Sequence, residues 1–374
     1  MIPILYGPSE TKFETNGFGK LSSAVECKVT EEKNGAFDLI MKYPTGGAHY
    51  ENLAEGCIIT SSHDDSGELQ PFRIIGIKRE MRYVTITARH DAQVQLSKLP
   101  VWPYYMLIGE ISIAEVMDYL TALSSRWAEN YPAAKITFES KISKKVKYTK
   151  ELPRFALPFL VGQEGSVIDL LKGGELAYNW YTVKLMYARG ESKLVRISYG
   201  RNISEITGET AMGECYTGAF IYYIKNGAVK YAKDYYFDTE NSIAQYLPNL
   251  YELDISSEFQ AEPETEEAFL TVANARAAAM EERRPWTNIY QNISVSWYEL
   301  SQLSEYSHLP KQRIGLCDYV TVDYPAYGIK KEVEIVKTVW NPLKERYESL
   351  ELNEIKKPLH STLTSMIQKQ IRRT

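Results

Sequence analysis

Residues 313–353 read RIGLCDYVTVDYPAYGIKKEVEIVKTVWNPLKERYESLELN. Residues 316–324 are rich in Val, Tyr and Thr, and Tyr324-Pro325-Ala326-Tyr327-Gly328 makes a turn. Residues 333–340 are mostly β-branched, Asn341-Pro342-Leu343 breaks the run, and residues 347–352 alternate again. No Pro or Gly falls inside any of these three strands, so the stretch reads as a meander within an antiparallel barrel. An earlier stretch has the same order. Gly56-Cys57-Ile58-Ile59-Thr60, residues 72–77 and Arg82-Tyr83-Val84-Thr85-Ile86 again give a Gly-led strand ending in Thr, an Ile-rich strand and an Arg-Tyr strand.

The starts of the two halves echo as well, Ile4-Leu5-Tyr6-Gly7 against Ile197-Ser198-Tyr199-Gly200. Tyr6 lies 77 residues before Tyr83 and Tyr199 lies 148 before Tyr347. One barrel twice, with 71 extra residues inserted in the second copy around 237–285, accounts for this spacing. No fixed period runs through the chain, so a solenoid is excluded.

Four stretches, taken together, resemble the prophage endopeptidase tail family of bacteriophage tail-tip proteins and tail-associated lysins. Gly315-Leu316-Cys317-Asp318-Tyr319-Val320-Thr321-Val322 followed by Leu343-Lys344-Glu345-Arg346-Tyr347 is similar to the end of that family's hub domain. The other three are Glu31-Glu32-Lys33-Asn34-Gly35-Ala36-Phe37-Asp38-Leu39, Gly173-Gly174-Glu175-Leu176 and the run 195–203, VRISYGRNI. They fall in the family's order over nearly the whole chain. The departure is Cys317, where glycine is expected. The resemblance implies a phage baseplate hub fold: mainly β with α+β insertions, two tube-protein-like antiparallel β-barrels and two smaller α/β domains. It also implies a homotrimeric ring at the tail tip that meets the distal tail protein or tail tube, the tape measure protein and receptor-binding or fibre proteins. Such a protein is made in the host bacterial cytoplasm and ends in the virion.

Composition agrees with a globular β-rich protein. The chain has 374 residues, 44% hydrophobic and 24% charged, with 28 Tyr and 6 Trp, enough for several cores and for broad interfaces. A net charge of −5 leaves no basic footprint for nucleic-acid binding, so DNA is expected to pass such a ring's lumen without specific contacts. No apolar run reaches the roughly 20 residues of a membrane helix, and the N-terminus lacks a charged region followed by an apolar one. Neither a membrane anchor nor a signal peptide is expected.

The domains are expected at 1–97 (first barrel), 98–194 (α/β), 195–235 with 293–357 (second barrel), 236–292 (inserted α/β) and 358–374 (C-terminal helix or tail). Asn34-Gly35 and Asn226-Gly227 are hairpin turns. Ser112 and Glu115 form a capping box ahead of a helix whose apolar stripe is Ile113, Val116, Met117, Leu120, Leu123 and Trp127. Ser166 opens a short helix that stops at Gly173-Gly174, and strands follow to a turn at Arg189-Gly190-Glu191-Ser192. The lysine-rich run 141–150 reads as a solvated loop. Residues 265–283 form a helix with apolar positions Phe269, Val272, Ala273 and Met280.

Chemistry is not legible. Cys27, Cys57, Cys215 and Cys317 are far apart and form no CxxC, so each reads as a small core hydrophobe. The five histidines, His49, His63, His90, His308 and His360, sit in no HExxH, and the chain has neither GxSxG nor a phosphate-binding loop. His63-Asp64-Asp65-Ser66-Gly67 suits a turn better than a cluster of ligands. No catalytic, cofactor-binding or metal-binding residue is assigned and no cofactor is expected. In the resembling family, lytic activity belongs to separate C-terminal domains. A tail-associated peptidoglycan hydrolase is the alternative, and a carbohydrate-binding module a third reading.

Overall fold

A computed structural model describes residues 1–101, 109–131, 134–148, 154–162, 165–198, 201–211, 218–225, 228–231, 235–236, 250–256, 265–283, 290–297, 299–300, 305, 308, 312–325 and 329–352. In chain order the first module supplies β1 (Ile4–Tyr6), β2 (Gly19–Lys20), β3 (Glu26–Glu32), β4 (Phe37–Pro44), β5 (Ile58–Ser62), β6 (Leu69–Arg79), β7 (Tyr83–His90) and α1 (Asp91–Leu96). Next come β8 (Pro100–Val101), β9 (Gly109–Ser112), α2 (Ile113–Asn130), β10 (Thr137–Ser140), β11 (Lys145–Tyr148) and β12 (Arg154–Phe155). They are followed by α3 (Ala156–Leu160), α4 (Val167–Leu171), β13 (Glu175–Asn179) and β14 (Thr182–Met186). The remainder is β15 (Ser192–Ser198), β16 (Ile203–Ala211), β17 (Gly218–Lys225), β18 (Ala228–Tyr231), β19 (Tyr235–Tyr236), β20 (Leu250–Asp254) and α5 (Glu266–Arg283). Last are β21 (Tyr290–Trp297), β22 (Tyr319–Tyr324), β23 (Ile329–Asn341) and β24 (Arg346–Leu352). The fold is mainly β.

The chain divides into two compact units, residues 1–206 with 294–353, and residues 207–293 with 354–374. The first holds a 13-stranded sheet in the order β16-β21-β24-β23-β3-β4-β7-β6-β5-β1-β2, with β15 on β22 and β22 on β23. Its two halves are the same path walked twice. β3-β4-β7-β6-β5 in one half corresponds to β16-β21-β24-β23-β22 in the other. The three strands read from residues 313–353 are β22, β23 and β24, with Tyr324 opposite Ile329 across the turn. Their echo is β5, β6 and β7. The two runs share one sheet because β3 pairs antiparallel with the C-terminal half of β23.

Alternation builds the core of the first module. Along β4, Phe37, Leu39, Met41 and Tyr43 are buried and the residues between them face outward, as a half-buried sheet requires. Asn34 takes a left-handed φ of 55° in the β3–β4 turn. In the His63–Gly67 run, Asp64 Oδ1 accepts from the backbone N–H and hydroxyl of Ser66, and Gly67 has φ 77°, so this is the β5–β6 turn. His63 itself is buried against Phe37.

The segment after α1 packs α2 beside the three-stranded sheet β10-β14-β13, in which β10 and β14 are parallel. It lies within the first unit rather than forming a compact unit of its own. Ser112 and Glu115 complete the capping box, and the stripe from Ile113 to Leu123 is buried. Trp127 is half-buried and packs its ring, tilted, 4.4 Å from that of Tyr131. The lysine-rich run departs from the loop reading: Lys145–Tyr148 pairs as a strand with β9 and buries Val146. Lys145 and Lys147 are exposed on either side of buried Val146, the alternation of a half-buried strand.

The second unit has its own sheet, in which β18, β19 and β20 all pair with β17. Ala219, Ile221 and Tyr223 of β17 pack with Leu253, Ile255 and, from α5, Phe269, Ala273 and Ala277. The sequence reading placed this strand in the second barrel (195–235) and began the insertion at 236; the compact unit begins at Thr207. β17 buries one face under a helix and takes β20 as a parallel partner, which requires a crossover connection. Val272 is half-buried, and Ala277 takes the core position not singled out in the sequence. Asn226-Gly227, Cys215, His360, the side chain of Met280 and the 358–374 helix or tail lie outside the described residues.

Candidate functional site: the seam between the sheet modules

The β3–β23 seam is where the sequence stretches quoted above converge. Val29, Thr30, Glu31 and Glu32 lie opposite Trp340, Val339, Thr338 and Lys337, and the Lys33 N–H donates to the Val336 carbonyl at 2.8 Å. Lys337 bridges Glu32 and Glu351, each at 3.0 Å. Just beyond the last strand pair, the Lys33 ammonium sits between Glu175, at 2.8 Å, and Glu334. Burial works against its charge, but the bonds to the two carboxylates more than offset that, and its pKa is raised. Burial likewise opposes ionisation of Glu175, yet Lys33 and the Arg189 backbone N–H hold its pKa below the usual value.

Two neighbouring turns lock this centre. Asn34 donates through Nδ2 to the Gly174 carbonyl and accepts through Oδ1 from the Leu176 N–H, both at 2.8 Å, tying the β3–β4 turn to the start of β13. The Arg189 guanidinium donates to Glu31 at 2.5 Å. Gly190 lies so close to residue 317 that a Cβ would sit 1.9 Å from the Cys317 carbonyl oxygen, so only glycine fits. Asp318 caps both sides, accepting from the Glu191 and Gly315 N–H groups at 2.9 Å. The run 195–203 joins through β15, where Ile197 pairs parallel with Val322 and Asn202 bonds back to Ser198 and Arg196.

Cys317 explains itself by comparison with Gly56. Gly56 N–H donates to the Ile74 carbonyl and Ile74 N–H to the Cys57 carbonyl; Cys317 N–H donates to Ile335 and Ile335 N–H to Asp318. The two positions are equivalent and both left-handed, φ 87° at Gly56 and 69° at Cys317. Glycine is expected at 317 for this backbone reason.

Chemically the seam is a lock. The ligand atoms of Glu175, Cys317 and Glu334 lie within 4.8 Å of one another, a grouping that could hold a cation, but the Lys33 ammonium already bonds both carboxylates. The Cys317 thiol, pushed up to about 12 by burial and the neighbouring Glu175, is the reverse of an activated nucleophile. Cys27 and Cys57 are also buried, free thiols. His90 is fully buried, stacked on Phe37 at 4.8 Å with its Nε2 3.2 Å from Gln70 Oε1. Lys33, Glu175 and Arg189 were not assigned roles from sequence. Their signal was indirect, since Lys33 and Glu175 belong to the stretches that carry the family resemblance.

The family model of the prophage endopeptidase tail matches residues 191–363. No curated protein matches the sequence. Among solved structures, prophage tail protein gp18 from Listeria monocytogenes EGD-e is similar at 13% identity and TM-score 0.51, covering 98% of this chain and 99% of its own. A tail protein from Neisseria meningitidis MC58 is similar at 10% identity and TM-score 0.55, over 95% and 96%. The 43 kDa tail protein of prophage MuSo2 from Shewanella oneidensis is similar at 13% identity and TM-score 0.53, over 94% and 97%. At these identities the likeness is one of fold. Residues 191–363 thus carry the prophage endopeptidase tail family's region, and the chain as a whole has the fold of prophage tail proteins.

Proposed function

We propose that this protein is a structural component of a bacteriophage tail, a tip or baseplate hub that assembles as a homotrimeric ring. The carrying observation is the repeated sheet path, β3-β4-β7-β6-β5 and β16-β21-β24-β23-β22, within one chain of prophage-tail fold. Three chains with two modules each present six similar modules, so a threefold ring can seat against a sixfold tail tube or its distal tail protein. Closed rings form from heterologous contacts when the rotation closes. A net charge of −5 suits a conduit for DNA and the tape measure protein, because a basic lumen would hold the phosphate backbone. The seam ties the two modules through backbone pairs and ion pairs, as a joint within a ring requires.

The solution mass tests this reading. Light scattering should give about three times the 42.8 kDa chain, and micrographs a pore with pseudo-sixfold texture. A stable dimer overturns the ring, since four modules do not match a sixfold tube. The family's name points to a second reading, a peptidoglycan endopeptidase. Release of muropeptides from purified cell wall by the chain alone would establish it.

A further inference from the structure

The parallel pair β10 and β14 ends in a groove that a tail structural role leaves without a task. Its volume is about 530 Å³, within the roughly 300–1,000 Å³ of small-ligand sites. It opens outside the carboxyl ends of both strands, where parallel sheets leave a crevice. One serine fixes its shape. The Ser140 hydroxyl donates to the Leu185 carbonyl at 2.8 Å and accepts from the Ile142 N–H at 3.1 Å. Ile142 and Leu185 are both buried, so the floor is apolar. The rim has different chemistry. Glu139 and Lys184 meet across the strand pair at 3.3 Å, and Lys141 is exposed and enters no ion pair among the described residues. Tyr187, on the same rim, is 60% exposed, more than any other tyrosine among the described residues. It enters no hydrogen bond or ring contact among them, so packing within the chain does not explain where its ring stands.

We infer that this groove binds a saccharide carrying a negatively charged substituent, a carboxylate or a phosphate. The face of an aromatic ring is negative and attracts the C–H side of a sugar ring, and sugar hydroxyls need donors and acceptors side by side. Tyr187 offers the ring, Glu139 the acceptor and Lys184 the donor. Lys141 is the cation left over for the anionic substituent. Local charge favours such a ligand: residues 134–148 hold five lysines and one glutamate, +4 net, in a chain of −5. A purely acidic peptide would use the lysines and leave Tyr187 and Glu139 without a part. The groove lies within one chain, so the inference is independent of how copies assemble.

Calorimetric titration of the full-length protein tests it with two charged probes, a hyaluronan tetrasaccharide for the carboxylate and glucose 6-phosphate for the phosphate. At least one should bind saturably, and more weakly as salt is raised. Tyr187→Ala and Lys141→Glu should each weaken that binding about tenfold or more, while Tyr187→Phe retains it and the melting temperature of all three stays unchanged. Neutral chitotetraose binding as tightly as the charged probes overturns the assignment of an anionic ligand. A tetraglutamate peptide binding as tightly, with no loss in Tyr187→Ala, overturns the saccharide and leaves a basic surface only. No saturable binding of either charged probe overturns the site, and none of these outcomes bears on the ring.

Discussion

Lys33 is the residue on which the seam depends. Its ammonium neutralises Glu175 and Glu334, whose side chains are 9% and 4% exposed. Removing one partner of a buried ionic group costs about 3–5 kcal/mol, because the charge left behind has no solvent. Lys33→Met should therefore lower the unfolding free energy by roughly that amount at pH 7, read from urea melts. A loss below about 1 kcal/mol would mean that water, not the protein, satisfies these carboxylates. His90 sets a pH dependence of the opposite origin. Burial, helped by the nearby His63, pushes its pKa from 6.5 down to about 3. The folded state then keeps it neutral while the unfolded chain protonates, so its contribution is full above pH 6.5 and is lost as pH falls towards 3. The slope is up to about 1.4 kcal/mol per pH unit. His90→Phe should flatten the stability profile across this window by that slope, and an unchanged profile would show that the ring is already charged in the fold.

At the scale of elements, the question is how a second unit can interrupt a sheet without disturbing it. β3 and β4 are joined by the Lys33-Asn34-Gly35-Ala36 turn, whereas residues 212–289, within the second unit, lie between their counterparts β16 and β21. The second unit has its own buried cluster around Tyr223 and Phe269. Joining Ile206 to Ser294 through a short Asn-Gly turn should then leave residues 1–206 and 294–353 folded, as judged by cooperative unfolding and dispersed amide resonances. Aggregation or loss of cooperativity would show that the interrupted hairpin needs the insertion. Boundaries here were poorly legible in sequence for a physical reason. β17 alternates just as the module strands do, and alternation reports that one face is buried without saying against what.

For the whole molecule, the repeated sheet path is the feature on which the proposed assembly rests. A ring of three chains is the proposed assembly, and a mass of about three times 42.8 kDa by light scattering is its expected outcome.

The meander of residues 313–353, its echo in residues 56–86, the Asn34-Gly35 hairpin and the Ser112–Glu115 cap were determined by the sequence alone. Each depends on near neighbours, through strand alternation, turn chemistry or a capping hydrogen bond. The match of Ile4-Leu5-Tyr6 with Ile197-Ser198 shows where that ends. β1 runs antiparallel to β5 while β15 runs parallel to β22, and a period of two looks the same in either direction. Only the tertiary structure decided that direction, the joining of two modules into one sheet, and the meeting of Lys33 with Glu175 and Glu334. These partners are more than a hundred residues apart in the chain, and which distant edge satisfies a given backbone or charge is settled by competition among all of them at once.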